Sequence, residues 1–259
     1  MKRYVQVLLA LLPVPCLGWN VDRRTTLMLP IASAVSLPAQ ALTPSQASQQ
    51  YDSYASNYDD LDGGVASDIL GIEQARAKLL RRASGRILEI GAGTGLNLPN
   101  YDPKQVESLT LVDISEGMLQ QARVKVPKEL SRVVHMEQAD ATSQLVDRFG
   151  TDAFDTVVDS FSLCVMGNQG ARRCLQQVAQ VVRSTGTVLL LENSRSSNPL
   201  LGLYQDATAE AASIAGGKGC VYNQNVRALI ESTGSLEILE EHPYAAGLFR
   251  AYICRRTSP

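Results

Sequence analysis

The stretch Ile87-Leu88-Glu89-Ile90-Gly91-Ala92-Gly93-Thr94-Gly95 decides how this chain is read. An apolar run that ends in three alternating glycines is a strand entering a tight turn. Glycine accepts φ > 0 without steric cost and lets backbone N–H groups come close to a ligand. Such a strand end marks the mouth of a nucleotide-like site, and the residues around it should say which nucleotide.

Outward from that turn, strand-like and helix-like segments alternate. Strands are expected at Arg86 to Ile90, Ser108 to Val112, Arg132 to Glu137, Phe154 to Asp159 and Thr187 to Glu192, with helices such as Ser115 to Val126 and Ala171 to Arg183 between them. That alternation implies an α/β fold, a doubly wound parallel sheet with helices on both faces. The end of the chain differs. "LEILEEHPY" and "LFRAYICRR" are strand candidates joined by only "AAG", too short for a parallel crossover, so the last strand should run antiparallel.

In an open α/β sheet the ligand lies beyond the carboxyl ends of the strands. After the first strand come the glycines; after the second, Asp113; after the third, Asp140; after the fourth, Asp159 and Ser160. A dinucleotide fingerprint would need Gly or Ala at its sixth place, which here is Leu96, and no Gly-Lys-Ser/Thr follows to make a phosphate loop. A nicotinamide-dependent oxidoreductase is therefore disfavoured.

Glu89-Ile90-Gly91-Ala92-Gly93-Thr94-Gly95 resembles the first motif of the class I S-adenosylmethionine-dependent methyltransferases, and the likeness runs through residues 50 to 255. It implies a Rossmann-like seven-stranded sheet in the order 3-2-1-4-5-7-6, with S-adenosylmethionine as cofactor. It also implies that Gly91 and Gly93 lie under the methionine part, that Asp113 binds the ribose hydroxyls, and that Asp140 lies near the adenine, flanked by Ile114 and Met118. The cofactor-contacting set is completed by Tyr58, Glu89, Ala92, Asn97, Ala141 and Ser160. "YDSYASNYDDLDGG", "LNLPNYD", "DISEGMLQQAR" and "GCVYNQN" resemble more closely the branch of the quinone C-methyltransferases and methyltransferase-like thiol methyltransferases. The expected acceptor is thus a small lipophilic molecule, a prenylquinol or a thiol. Relatives often carry Glu-His after the fifth strand, whereas this chain has Glu192-Asn193, which removes one proton acceptor and admits a non-catalytic, cofactor-binding assembly factor as the rival reading. No catalytic residue is identifiable. Alignment of nucleophile and methyl alone supplies roughly 7–11 kcal/mol, so an acidic acceptor needs no dedicated base.

The rest of the chain sets bounds. With 259 residues, 45% of them hydrophobic, and a net charge of -2 without a long basic run, it suits one α/β domain and disfavours a nucleic-acid partner. Residues 1–41 begin with Lys2 and Arg3, contain two apolar runs separated by Arg23 and Arg24, and end in Ala39-Gln40-Ala41, the pattern of a cleavable targeting segment. They resemble a bipartite plastid presequence with a thylakoid-transfer signal, Trp19 included; a mitochondrial destination or an N-terminal membrane anchor are the alternatives, and peripheral membrane association is admitted. Residues 42–84 are expected as a helical cap, with Tyr51, Tyr54 and Tyr58 on one face and a second helix at Val65 to Ala83, and residues 85–259 as the catalytic domain. Cys164, Cys174, Cys220 and Cys254 form no C-x-x-C pair and read as small buried hydrophobes, suggesting neither a zinc site nor a disulfide framework. Of the two histidines, His135 reads as structural, and His242, at the ligand-side end of the sixth strand, is a candidate base.

Overall fold

The computed structural model describes residues 42–59, 70–215 and 219–257. The targeting segment and the first five residues of the expected second cap helix lie outside them. The strands are β1 (Gly85–Ile90), β2 (Val106–Asp113), β3 (Val134–Gln138), β4 (Phe154–Ser160), β5 (Val182–Asn193), β6 (Leu236–Tyr244) and β7 (Phe249–Arg256). The helices are α1 (Pro44–Tyr54), α2 (Ile72–Leu80), α3 (Glu116–Val124), α4 (Leu145–Phe149), α5 (Leu163–Val181), α6 (Pro199–Ala215) and α7 (Val226–Ser232).

The strands form one sheet in the order β3-β2-β1-β4-β5-β7-β6. β1 pairs in parallel with both β2 and β4, so the winding reverses there and leaves a crevice at their carboxyl ends. β7 runs antiparallel to β5 and β6, as the three-residue connection requires. Both faces of the sheet are covered, which is why its strands read as apolar runs rather than as alternating patterns. Leu88, Val157 and Leu190 pack with α5 and α7 on one face. Ile87, Val158 and Leu189 pack with α2 on the other.

Helix starts follow side-chain chemistry. Thr43 caps α1 in a reciprocal box with Gln46, with Pro44 in the first turn. Ser115 caps α3 by accepting from Met118 N at 3.1 Å, and Asn225 caps α7 by accepting from Ala228 N at 3.1 Å. The helix expected at Ala171 to Arg183 begins eight residues earlier, because a first turn at Leu163 is joined to it across Gly167, which is non-helical at φ 64°. The tyrosine face is shared between two elements, since α1 ends at Tyr54 and a 3-10 turn, Ala55–Asn57, follows.

The cysteine reading needs correction. Cys174 and Cys254 are free and buried, as expected of small hydrophobes, but Cys164 and Cys220 form a disulfide across 56 residues. No spacing rule could disclose it, because the pair meets only where the segment after α6 folds back over the start of α5. His135, read as structural, is exposed on β3 at the edge of the sheet.

Candidate functional site

A cleft of about 900 Å³, continuous with solvent, opens at the reversal point between β1 and β4. Of the residues expected to contact a cofactor, Tyr58, Gly91, Gly93, Asp113, Ile114, Met118, Asp140, Ala141 and Ser160 line it. Glu89, Ala92 and Asn97 do not; they lie buried beneath the glycine turn.

The glycines have separate jobs. Gly91 sits at φ +58°, and a Cβ there would fall 2.4 Å from Ser162 Cβ, so this turn is pressed against the start of α5. Gly93, at φ +56°, would direct a Cβ into space whose nearest atom is 3.9 Å away. Its backbone therefore borders open cleft, while its N–H donates to Asp113 Oδ2 at 2.8 Å. Asp113 also accepts from Ser115 N at 2.9 Å through Oδ1. Burial pushes the Asp113 carboxyl up to about 6 against these backbone donors. Two donors leave a carboxylate with unused lone pairs, enough for a pair of ligand hydroxyls. Asp140, by contrast, closes its own turn, accepting from Thr142 N at 2.8 Å and Ser143 Oγ at 3.1 Å.

Under the turn lies a buried polar network. Glu89 accepts from Asn97 Nδ2 at 2.9 Å and Tyr101 OH at 2.6 Å. Arg76 Nη1 donates to Asn97 Oδ1 at 2.8 Å and Ser160 Oγ at 3.2 Å, tying α2 to the turn and to β4. The guanidinium also lies over the Phe161 ring, 5.7 Å from its centroid. Burial pushes the Glu89 carboxyl up to about 7, opposed by its hydrogen bonds and by nearby Arg76. Sequence reasoning missed Arg76; the available signal was a charged residue on the apolar face of its helix, between Ala75 and Leu79.

On the other side of β4, Asp159 and Glu192 are both fully buried. Glu192 Oε1 accepts from Ser162 N at 3.0 Å. Glu192 Oε2 and both Asp159 oxygens lack a donor. Burial drives both carboxyls upward, and the repulsion between them raises Glu192 further. Asn193 turns instead towards the disulfide, with Nδ2 at 3.7 Å from Cys164 Sγ and 3.6 Å from Cys220 Sγ. His242 is absent from the cleft lining and is bound at 2.9 Å to Glu240, which pairs with Arg82, on the far edge strand β6.

The cap lies over the cleft as a lid. Leu42, Pro44, Ala47, Tyr51 and Tyr58 form its underside, and Tyr51 packs against Tyr58 with ring centroids 6.2 Å apart. Asp52 Oδ1 accepts from Ser115 Oγ at 2.6 Å and Gly117 N at 2.9 Å, fastening the lid to the start of α3. Asp59 accepts from Thr94 and pairs with Lys125. Phe161, Ser162, Val165 and Met166 make the opposite wall. Among the described residues no cluster of His, Cys, Asp and Glu could hold a metal ion, and no helix is long and apolar enough to cross a membrane.

Residues 87–186 match the family model described as a methyltransferase domain. A phosphatidylethanolamine N-methyltransferase of Cereibacter sphaeroides is 33% identical over 63% of this chain and 75% of its own length. The mitochondrial methyltransferase OMS1 of Saccharomyces cerevisiae is 23% identical over 85% of this chain. A demethylmenaquinone methyltransferase of Leptospira interrogans is 30% identical over 44% of it. The chain spans about half the length of the last two, 48% and 45%. In fold it is similar to the [4+2]-cyclase SpnF, with a TM-score of 0.64 at 15% identity over 85% of this chain and 98% of that one. The methyltransferase-domain match, the relative 33% identical over the aligned 165 residues, the strand order and the glycine-turn cleft agree: the chain belongs to the class I S-adenosylmethionine-dependent methyltransferases.

Proposed function

We propose that this enzyme methylates a small lipophilic acceptor, a prenylquinol or a thiol, in the cleft beneath the lid. The observation that carries the proposal is the apolar lining opposite the glycine turn, where Leu42, Pro44 and Ala47 of the lid face Val165 and Met166 of α5. An apolar acceptor held there loses water around its nucleophile. Relatives named for a phospholipid and for demethylmenaquinone support a lipophilic acceptor.

The residues present fit S-adenosylmethionine, which when bound supplies an electrophilic methyl on a sulfonium sulfur. Open space over Gly93 would take its methionine part, and Asp113, with lone pairs to spare, would hold its ribose hydroxyls. Asp140 and Ala141, with Ile114 and Met118, would border the adenine, and Tyr58 would cover it from the lid. The protein's contribution to transfer is then alignment and exclusion of water, by the lid above and the Arg76–Asn97–Glu89 network below. The same proposal includes a cap at residues 42–84, a catalytic domain at 85–259 and an organellar destination, plastid or mitochondrion, written in residues 1–41. The mitochondrial relative supports an organelle.

The test is transfer of labelled methyl from S-adenosylmethionine to a demethylated quinol with a short prenyl chain and to a small alkyl thiol, with Asp113→Asn as the control. Label in either acceptor that the variant fails to deliver supports the proposal. A folded protein that binds S-adenosylhomocysteine yet labels neither would refute it.

A further inference from the structure

We propose that the Cys164–Cys220 disulfide is a redox-controlled brace on the cofactor cleft, so that reduction by a dithiol loosens the lid and weakens cofactor binding. The inference rests on the reading of the cleft as the cofactor site.

The bond joins the start of α5, whose neighbouring residues wall the cleft, to a segment that packs on the lid. Cys164 stands between Ser162 and Val165, both of which line the cleft on the α5 side. Cys220 follows Gly219, whose backbone is pressed against the lid, since a Cβ on Gly219 would fall 2.6 Å from Leu42 Cγ. Leu42 lines the cleft itself and immediately precedes Thr43, the cap of α1. A continuous path therefore runs from the α5 wall through the disulfide and Gly219 to the first lid residue. Two further fasteners of the lid, Asp52 to α3 and Asp59 to Thr94 and Lys125, lie further along it. Severing the disulfide leaves the lid held firmly there and weakly at Leu42.

Among the described residues two hydrogen bonds also link the segment to α5, while Gln224, Tyr222 and Asn223 tie it to Arg195, Gln205, Thr208 and Asp206. Val221 N donates to the Cys164 carbonyl at 2.9 Å, and Gln224 Nε2 donates to Asn168 Oδ1 at 3.2 Å. Asn193 Nδ2 contacts both sulfurs and so anchors the bond to the end of β5.

The bond is also reachable from one side. Cys164 is 2% exposed, whereas Cys220 is half-buried. A dithiol thiolate attacks the Cys220 sulfur, forming a mixed disulfide and expelling Cys164 as a thiolate that takes up a proton. The second thiol then closes on the mixed disulfide and releases Cys220. Two electrons and two protons pass to the cysteine pair, and the dithiol leaves as a cyclic disulfide. Cys174 and Cys254 are buried and take no part. An oxidising compartment holds the brace shut and a reducing one releases it.

The experiment uses the full chain. Non-reducing peptide mapping after mild oxidation should show the Cys164–Cys220 cross-link, and dithiothreitol should remove it. Calorimetry with S-adenosylhomocysteine should then give an affinity about five- to tenfold weaker in dithiothreitol. Cys220→Ser should bind as weakly as the reduced protein and no longer respond to the reductant. Hydrogen exchange should rise on reduction at residues 42–58 and 219–224 and nowhere in the sheet. Absence of the cross-link after oxidation, or an affinity unchanged within about twofold between verified oxidised and reduced samples, would overturn the brace. Failure to bind in both states, with the exchange response intact, would uphold the brace and remove the cofactor reading instead.

Discussion

Asp113→Asn is the most informative single change, because it alters charge while keeping shape. In the native turn the carboxylate accepts from Gly93 N and Ser115 N, so asparagine must aim its NH₂ at one of two N–H donors. That mismatch costs about 1–3 kcal/mol of stability. Against it stands relief of a buried charge: a carboxyl raised from 3.8 to about 6 is disfavoured in its ionised form by on the order of 3 kcal/mol at neutral pH. The two effects nearly cancel, so Tm should move by only a few degrees. Binding should not be spared. Ribose hydroxyls on a carboxylate contribute about 1.5–3 kcal/mol each, and loss of the charge should weaken S-adenosylhomocysteine by at least about tenfold. The pH dependence has a definite sign. Hydroxyl donors favour the ionised form, so binding lowers the pKa of Asp113 and releases a proton. Affinity of the wild type should be level well above pH 6 and fall towards tenfold per unit below it, while the variant stays flat over that window. Calorimetry at pH 5, 6 and 7.5 decides. A variant binding within twofold of wild type, or one that keeps the wild-type slope below pH 6, would refute the assignment of Asp113.

Three further outcomes are expected. Glu89→Gln should raise Tm at pH 8: the carboxyl's folded pKa of about 7 lies above its unfolded value of 4.5, so its stabilising contribution, complete below 4.5, is lost as pH rises through 7. A thermal melt series from pH 5 to 8 in which the variant falls as steeply as wild type would count against a desolvated Glu89. Gly95→Ala places a Cβ 2.7 Å from Leu98 Cδ1 and 3.2 Å from Ala122 at φ +82°, and should cost about 1–3 kcal/mol, or roughly 5 °C in Tm; an unchanged melting curve would show that the turn does not need glycine there. Arg76→Met should weaken S-adenosylhomocysteine binding several-fold without touching the cleft, because Asn97 and Ser160 lose their shared donor; equal affinities by calorimetry would show that the network below the turn does not position it.

The sheet was legible because its signals are local. Each strand is a short apolar run bounded by turn residues, and the three-residue link Ala245–Gly247 forces antiparallel pairing of β7 whatever the surroundings. Asp113 and Asp140 were legible for the same reason: position after a strand places a residue at the rim of the crevice. Glu89, Ala92 and Asn97 lie in or just after the same turn as Gly91 and Gly93 yet do not line the cleft, because they are buried, and Glu89 and Asn97 are taken up by hydrogen bonds below it. A motif identifies the turn without saying which of its side chains face the ligand.

What stayed hidden depends on long-range contact. Arg76 meets Ser160 across 84 residues and Asn97 across 21, and Cys164 meets Cys220 across 56. Nothing in the local pattern of any of them announces the partner. The replacement of histidine by Asn193 illustrates the difference. In the sequence it is a missing proton acceptor, whereas in the fold the side chain lies against the disulfide, and the protonatable groups at that end of the sheet are Asp159 and Glu192 below Ser162. Burial raises both carboxyls, and their mutual repulsion raises Glu192 further, beside the cleft wall. Asp159→Asn removes one raised carboxyl and its repulsion on the other, leaving Glu192 raised by burial alone, and should flatten the fall of Tm with rising pH between 6 and 8. A melt series in which wild type and variant run parallel over that range would show that the two carboxyls titrate independently.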